Sequence, residues 1–142
     1  MALEALLGTW KLISHKLVTS DGQERMAMFG ADPQGYLVIT PDERMMTLIT
    51  AQDRQVAADE AGQAGLYKSL LAYGGKVRVE GGDRLITAVD VSWHPGWMGS
   101  EQVRSFSIAG DVLSLMSPEM PHPTYPGQMA RGVLKWQRVS RF

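Results

Sequence analysis

The chain contains no cysteine among its 142 residues. This absence excludes a disulfide framework, a thiolate nucleophile, an iron–sulfur cluster and a thiolate zinc site. An excess of one charge sign is also missing, since 14 Lys and Arg residues face 15 Asp and Glu residues. Without a general basic field to hold a phosphate backbone, nucleic acid is not an expected partner.

Long apolar runs are missing as well. No stretch approaches the roughly 18 to 20 apolar residues of a membrane-spanning helix, and the first ten residues lack a basic region followed by an apolar stretch. We therefore expect a soluble, cytoplasmic protein without membrane insertion. The length and the 44% hydrophobic content suit one globular domain over residues 1–142.

Alternation of apolar and polar residues between turn signals indicates about eight β-strands. One helix is predicted over about residues 56–73, where Leu66, Leu70 and Tyr73 have helical spacing and Gly74 follows. Tight turns between consecutive strands favour antiparallel pairing, so we predict an all-β fold, a closed up-and-down barrel with one short helix. A two-sheet sandwich is the alternative. The predicted strands cover residues 9–20, 36–40, 45–50, 76–80, 85–93, 102–108, 112–117 and 132–139.

Residues 117–127 form a proline-rich segment that interrupts the strand pattern. It holds four of the seven prolines of the chain, with Met120, His122 and Tyr125 between them. Because proline fixes the backbone and removes a hydrogen-bond donor, we expect a stiff loop without regular structure. Such a loop either covers a ligand at a barrel mouth or only connects two strands.

Short motifs along nearly the whole chain carry a family resemblance. Gly8-Thr9-Trp10 on the first strand and Lys135-Trp136-Gln137-Arg138 on the last resemble the Gly-x-Trp motif and terminal basic residue of calycin and lipocalin barrels. With the further pieces given below, the chain more closely resembles the bacterial and fungal lipocalin-like domain family. These pieces are Gly30-x-x-Pro33-x-Gly35-Tyr36-Leu37, Thr40-Pro41-Asp42, Tyr73-x-Gly75 and Trp93-x-Pro95-x-Trp97-x-Gly99-Ser100-Glu101-Gln102-x-Arg104.

The resemblance implies a barrel with a central cavity for a small, largely apolar molecule, in which Trp10 and Arg138 close one end through a cation–π contact. Barrels of this type include both carriers and cofactor-free isomerases or cyclases, so the resemblance does not name the molecule. Family members often carry a histidine pair where this chain has Thr87-Ala88. A role of that pair cannot be transferred to this chain.

Arg104 is the charged residue that strand alternation places inside the barrel, on the face of Phe106 and Ile108. A buried guanidinium keeps its charge and needs a partner. That partner is an internal carboxylate, for instance Glu101 or Asp90, a set of carbonyl oxygens, or the carboxylate, enolate or phenolate of a ligand. On the strand over residues 85–93, alternation turns Val89, Val91 and Trp93 inward and Asp90 towards water.

Other polar residues are candidates for catalysis or ligand binding. His94 and His122 are possible general bases at the barrel mouth, and Tyr73 offers a hydroxyl to an oxyanion. His15 is expected outside and Ser14 inside. No histidine pair has the spacing of a metal site, so neither a metal nor a cofactor is expected. The remaining predicted ligand contacts are Tyr36, Trp97, Phe106, Met120 and Tyr125.

Three functions remain open from the sequence. The first is binding of a small hydrophobic or amphiphilic molecule in the barrel, oriented by Arg104. The second is a cofactor-independent isomerase, cyclase or lyase acting on a polyketide, terpenoid or phenolic substrate. The third is a self-associating module without a ligand. A homodimer is compatible with each of these.

Overall fold

In the part of the chain that the structure describes, the strands follow one another around a single sheet, interrupted by one α-helix. The structure is a computed structural model that describes residues 3–122 and 124–142. In these residues α1 spans Glu60–Lys68, and two 3-10 helices span Glu4–Leu6 and Pro95–Trp97. The strands are β1 (Gly8–Thr19), β2 (Glu24–Met26), β3 (Gln34–Thr40), β4 (Arg44–Thr50), β5 (Leu70–Glu80), β6 (Arg84–Ser92), β7 (Glu101–Ala109), β8 (Val112–Met116), β9 (Met120–Pro121) and β10 (Met129–Ser140).

Eight of these strands close into an antiparallel barrel. β1 pairs with β10 along almost its whole length and with β3 through residues 8–11, so the first and last strands complete the ring. The predicted all-β, up-and-down barrel is therefore confirmed. The C-terminal half of β1 and the N-terminal half of β10, called their outer halves below, continue beyond the ring. The short strand β2 pairs with this part of β1, and β9 pairs with this part of β10.

The two ends of the barrel differ. At one end, the 3-10 helix at Glu4–Leu6 folds over the opening, and its own Leu6 and the Trp10 side chain of β1 are fully buried. The opposite end is formed by the first residues of β3, β5 and β7. There the buried Phe29, the helix α1 and the Pro95–Trp97 turn lie beside the opening. In the described residues, no helix combines the length and apolar character needed to span a membrane.

The helix is shorter than the sequence pattern predicts. Asp59 caps its start by accepting a 2.8 Å hydrogen bond from the Gly62 amide. The helix ends at Lys68, and Leu70 and Tyr73 belong to β5, where they pair with Thr50 and Thr47 of β4. The predicted helix over residues 56–73 was wrong at both ends because strand pairing buries Tyr73 in the barrel, which outweighs its helical spacing.

A β-bulge in β1 reverses the predicted sides of two residues. Leu12 pairs with Trp136 and Ser14 pairs with Lys135, so Ile13 is the extra residue of the bulge. Beyond it, His15 pairs with Leu134 on the inner face, whereas Ser14 shares the outer face with Lys135. The expectations that Ser14 faces the interior and His15 the outside were wrong for this reason.

A second irregularity lies between β5 and β6. Gly74 pairs with Val91, but Gly75 pairs with Val89, which leaves Asp90 as the extra residue. Val91 consequently lies outside with 47% of its surface exposed, contrary to the predicted alternation, while Asp90 is exposed as predicted.

The proline-rich segment is not wholly irregular. Met120 and Pro121 form β9, which pairs with Ala130 and Met129 of β10. The expectation of a loop without regular structure was wrong for these two residues. The pairing is possible because β10 extends beyond the barrel and offers an edge.

Candidate ligand-binding site

A small cavity remains at the centre of the barrel. Its volume is about 50 Å³, well below the roughly 300 to 1,000 Å³ of typical ligand pockets. Large buried side chains, including Trp10 and Trp136, fill most of the interior, so the expected roomy central cavity is absent in the described residues. The inner cavity is lined by Leu37, Met45, Thr47, Ile49, Leu71, Tyr73, Arg104, Leu115, Leu134 and Trp136.

Arg104 is half-buried on β7 and borders this inner cavity. Its Nη1 donates a 2.8 Å hydrogen bond to the Val103 carbonyl, and its Nη2 donates a 3.3 Å bond to Oε1 of Gln102. Within residues 3–122 and 124–142, no carboxylate lies within ion-pair distance of this guanidinium. The positive charge at the cavity wall is therefore held by neutral oxygens.

The two carboxylates predicted as internal partners of Arg104 pair elsewhere. Asp90 lies 2.7 Å from Arg44, and Glu101 lies 2.8 Å from Arg78. Both carboxylates are about half exposed on the outside of the barrel. The internal ion-pair alternative was wrong because Asp90 and Glu101 face away from the lumen.

Two further hydrogen-bond donors border the inner cavity. The indole Nε1 of Trp136 is buried, and no atom of the described residues accepts its hydrogen bond. The Tyr73 hydroxyl likewise has no partner in that part of the chain. Burial raises the pKa of this phenol, and the nearby Arg104 charge partly opposes the rise. Tyr73 therefore keeps its proton at neutral pH and can donate it in a hydrogen bond.

The other residues predicted at the site lie around the barrel rather than in this cavity. Trp97 and Tyr73 form a T-shaped ring pair with 5.1 Å between centroids, and Phe106 packs against the core. His94 is exposed near the end of β6, where its Nδ1 is 3.3 Å from the Tyr67 hydroxyl. Tyr36 and Met120 are also exposed, at 51% and 62%. The structure does not bring His94 together with Arg104 and Tyr73.

A larger cleft lies outside the barrel mouth, where β1 and β10 extend beyond the ring. Its volume is about 570 Å³. His122 and Tyr125, both predicted site residues, line this outer cleft rather than the inner cavity. The outer cleft is lined by His15, Leu17, Met26, Ala27, Met28, His122, Thr124, Tyr125 and Gly132.

His15 is one of several lining residues that the sequence pattern did not assign to a site. Burial lowers its pKa to about 4, so the imidazole is neutral at physiological pH. Its ring packs on Phe29 with 5.3 Å between centroids, and its Nδ1 is buried without a hydrogen-bond partner in the described residues. Only the bulge at Ile13 brings it inside, and strand alternation alone gives no signal of that bulge.

The described residues contain no group of three or more histidine, aspartate or glutamate side chains arranged to hold a metal ion. Residues 7–139 match the sequence model of a family described as a lipocalin-like domain. The chain belongs to the lipocalin-like domain family. The match includes both Trp10 and Arg138, and it confirms the resemblance carried by the short motifs. None of the curated proteins compared with this lipocalin-like chain matches it.

Proposed function

We propose that this lipocalin-like barrel binds a small amphiphilic molecule whose anionic group reaches Arg104 in the inner cavity. The observation that carries the proposal is the Arg104 guanidinium at the cavity wall, with no carboxylate partner in the described residues. A guanidinium keeps its charge in a partly buried site, and an anionic oxygen is the partner that stabilises it most strongly.

The neighbouring donors support the same ligand chemistry. The buried Nε1–H of Trp136 lacks an acceptor in the described residues, and Tyr73 brings its hydroxyl-bearing side chain to the same cavity. A buried donor without an acceptor costs roughly 1 to 3 kcal/mol. A carboxylate, enolate or phenolate oxygen in the inner cavity would offer acceptors to these donors and a counter-charge to Arg104.

The size of the inner cavity limits the group that enters without rearrangement. About 50 Å³ suits a group of a few non-hydrogen atoms, such as a carboxylate. A longer apolar body requires rotation of the lining side chains, several of which are leucines, with Met45 among them. Thioether chains adapt to irregular shapes, which supports an amphiphilic ligand with a flexible apolar part.

A cofactor-independent isomerase, cyclase or lyase is the alternative proposal. Arg104 and Tyr73 have the donors that an oxyanion requires. Such a reaction also needs a proton acceptor within reach of the substrate. Among the described residues that line the inner cavity, none is a histidine, aspartate or glutamate. This lining favours binding without turnover. A cytoplasmic location and a homodimer stay predictions from the sequence.

The test compares two ligands of equal chain length, octanoate and 1-octanol, by isothermal titration of the wild-type protein and of Arg104→Gln. We expect octanoate affinity to fall about tenfold or more in Arg104→Gln, since a charged hydrogen bond is lost. Octanol affinity should change little. The matched control is Arg131→Gln, because Arg131 is exposed on β10. Equal octanoate affinity in the wild type and in Arg104→Gln contradicts the proposal.

A further inference from the structure

We infer that the outer cleft is a second binding site, separate from the inner cavity, for an uncharged aromatic molecule. The cleft lies between the outer half of β1, the residues around β2 and the loop that carries His122 and Tyr125. Its volume of about 570 Å³ falls within the range of small-molecule pockets. The inner cavity is less than a tenth as large.

Phe29 is buried beside the outer cleft. Its side chain is 3% exposed and packs within the barrel core, and its ring lies against His15 in the wall of the outer cleft. The backbone of Phe29 is fixed as well, because its carbonyl accepts a 3.2 Å hydrogen bond from the Gln52 amide. The two cavities share no described lining residue, so a molecule in the outer cleft does not touch Arg104.

Among the described residues, no aspartate, glutamate, lysine or arginine lines the outer cleft. Of its histidines, His15 is neutral because burial lowers its pKa to about 4. Arg25 lies over the Tyr125 ring, 4.5 Å from its centroid, and pairs with Asp21. An ionic ligand would lose hydration on binding without meeting a counter-charge in this wall, whereas an uncharged ligand does not have this cost.

The shape and polarisability of the walls favour an aromatic occupant. The His122 and Tyr125 rings are tilted by 38° with 5.4 Å between their centroids, and the Arg25 guanidinium lies over the Tyr125 ring. Met26 and Met28 supply thioether groups that are 66% and 72% exposed. Sulfur and aromatic rings attract each other, and ring pairs are stabilised beyond their buried area.

The outer cleft also offers hydrogen-bond donors. His122 Nδ1 lies 3.2 Å from the Thr124 amide and accepts its hydrogen bond. A ring whose Nδ1 accepts carries a proton on Nε2, which makes that nitrogen a donor. Thr124 and Tyr125, which also line the cleft, carry hydroxyl groups. An aromatic molecule with an acceptor, such as a phenol ether, a ketone or a quinone, matches this combination of rings, thioethers and hydrogen-bond donors.

The test uses N-phenyl-1-naphthylamine, an uncharged aromatic probe whose fluorescence rises in apolar sites, with the full-length protein. We expect saturable binding to the wild type. The variant Met28→Glu places a charge in the wall and should weaken binding about tenfold. The matched control is Met98→Glu, since Met98 is also an exposed methionine, at 51%, and does not line the outer cleft. It should bind the probe like the wild type.

A second variant, Tyr125→Ala, removes a wall ring from a half-buried loop position and should also weaken binding about tenfold. Saturating octanoate should leave the affinity for the probe unchanged. The inference is overturned if Met28→Glu binds the probe as tightly as the wild type, or if Met98→Glu loses as much affinity for the probe as Met28→Glu does. Competition between octanoate and the probe overturns it too. Absence of saturable probe binding to the wild type overturns it as well. Failure of octanoate to bind, with the probe results as expected, defeats only the function proposed for Arg104.

Discussion

The guanidinium of Arg138 lies 4.1 Å from the ring centroid of Trp10 and closes one end of the barrel. Its two terminal nitrogens donate 2.8 Å hydrogen bonds to the carbonyls of Leu7 and Ala5. The Trp10 indole donates a 3.0 Å bond to the Leu6 carbonyl. The Arg138 guanidinium and the Trp10 indole thus fix the segment that precedes β1 to the last strand, β10. These contacts close the sheet at this end.

Replacing Trp10 by alanine should cost roughly 3 to 5 kcal/mol of unfolding free energy, because it empties a fully buried site and leaves Arg138 without its ring. Urea denaturation followed by circular dichroism measures this cost. The partly exposed Trp93 provides the control, and Trp93→Ala should cost less. An unchanged urea midpoint for Trp10→Ala would remove this residue from the barrel floor.

Two glycines should respond in opposite directions to the same substitution. A Cβ on Gly75 would lie 1.9 Å from the Ala88 carbonyl oxygen, so Gly75→Ala must push β5 and β6 apart and should cost about 3 kcal/mol or more. Gly65 lies in α1 with no atom within 4 Å of the added Cβ. Gly65→Ala should stabilise the protein by about 0.5 to 1 kcal/mol. Thermal melting of both variants tests these opposite expectations, and equal melting temperatures for the two variants would contradict them.

His15 should make stability depend on pH in the acid range. Burial lowers its folded-state pKa from 6.5 to about 4. Above pH 6.5 the group is neutral in both states and contributes nothing. Between pH 6.5 and 4 the unfolded chain takes up a proton that the folded chain excludes. The free energy of unfolding therefore falls by on the order of 3 kcal/mol over this range, and the fall levels off below pH 4.

Urea unfolding of His15→Leu between pH 4 and 8 tests this dependence. The variant should lose less stability than the wild type as the pH falls. His94→Leu is the control, because His94 is exposed, and it should keep the wild-type slope. Parallel pH profiles for the wild type and His15→Leu would show that His15 is not the buried neutral group.

The outer ion pairs should contribute little to stability. Asp90 and Arg44 are 53% and 43% exposed, and solvent screens their attraction. Asp90→Asn should therefore change the unfolding free energy by less than about 1 kcal/mol and leave octanoate affinity unchanged. A large loss of either quantity would indicate that Asp90 supports the inner cavity.

Regular alternation made most strands predictable. Leu37 and Ile39 on β3 and Met45 and Ile49 on β4 face the core as an uninterrupted period of two requires. Prediction failed where one extra residue breaks that period. Ile13 and Asp90 each reverse the sides of the residues beyond them, and pairing partners distant in sequence decide both bulges.

The candidate site was predicted only in part. Arg104 was assigned to the interior because β7 alternates without a bulge, and Tyr73 was recognised for its hydroxyl but placed on a helix. Trp136 was recognised as part of a terminal motif, but its unpartnered Nε1 becomes visible only when the surrounding strands are in place. The inner cavity and the outer cleft share no described lining residue, and no local sequence pattern indicates that there are two separate spaces.

The most direct test of the account is a titration of labelled protein with octanoate, followed through the side-chain ¹H–¹⁵N signals of Arg104 Nε and Trp136 Nε1. The account predicts that both signals shift saturably with the same dissociation constant, while the Arg138 Nε signal at the closed end stays in place. Octanoate that binds without moving the Arg104 and Trp136 signals would contradict the assignment of the inner cavity as the anion-binding site.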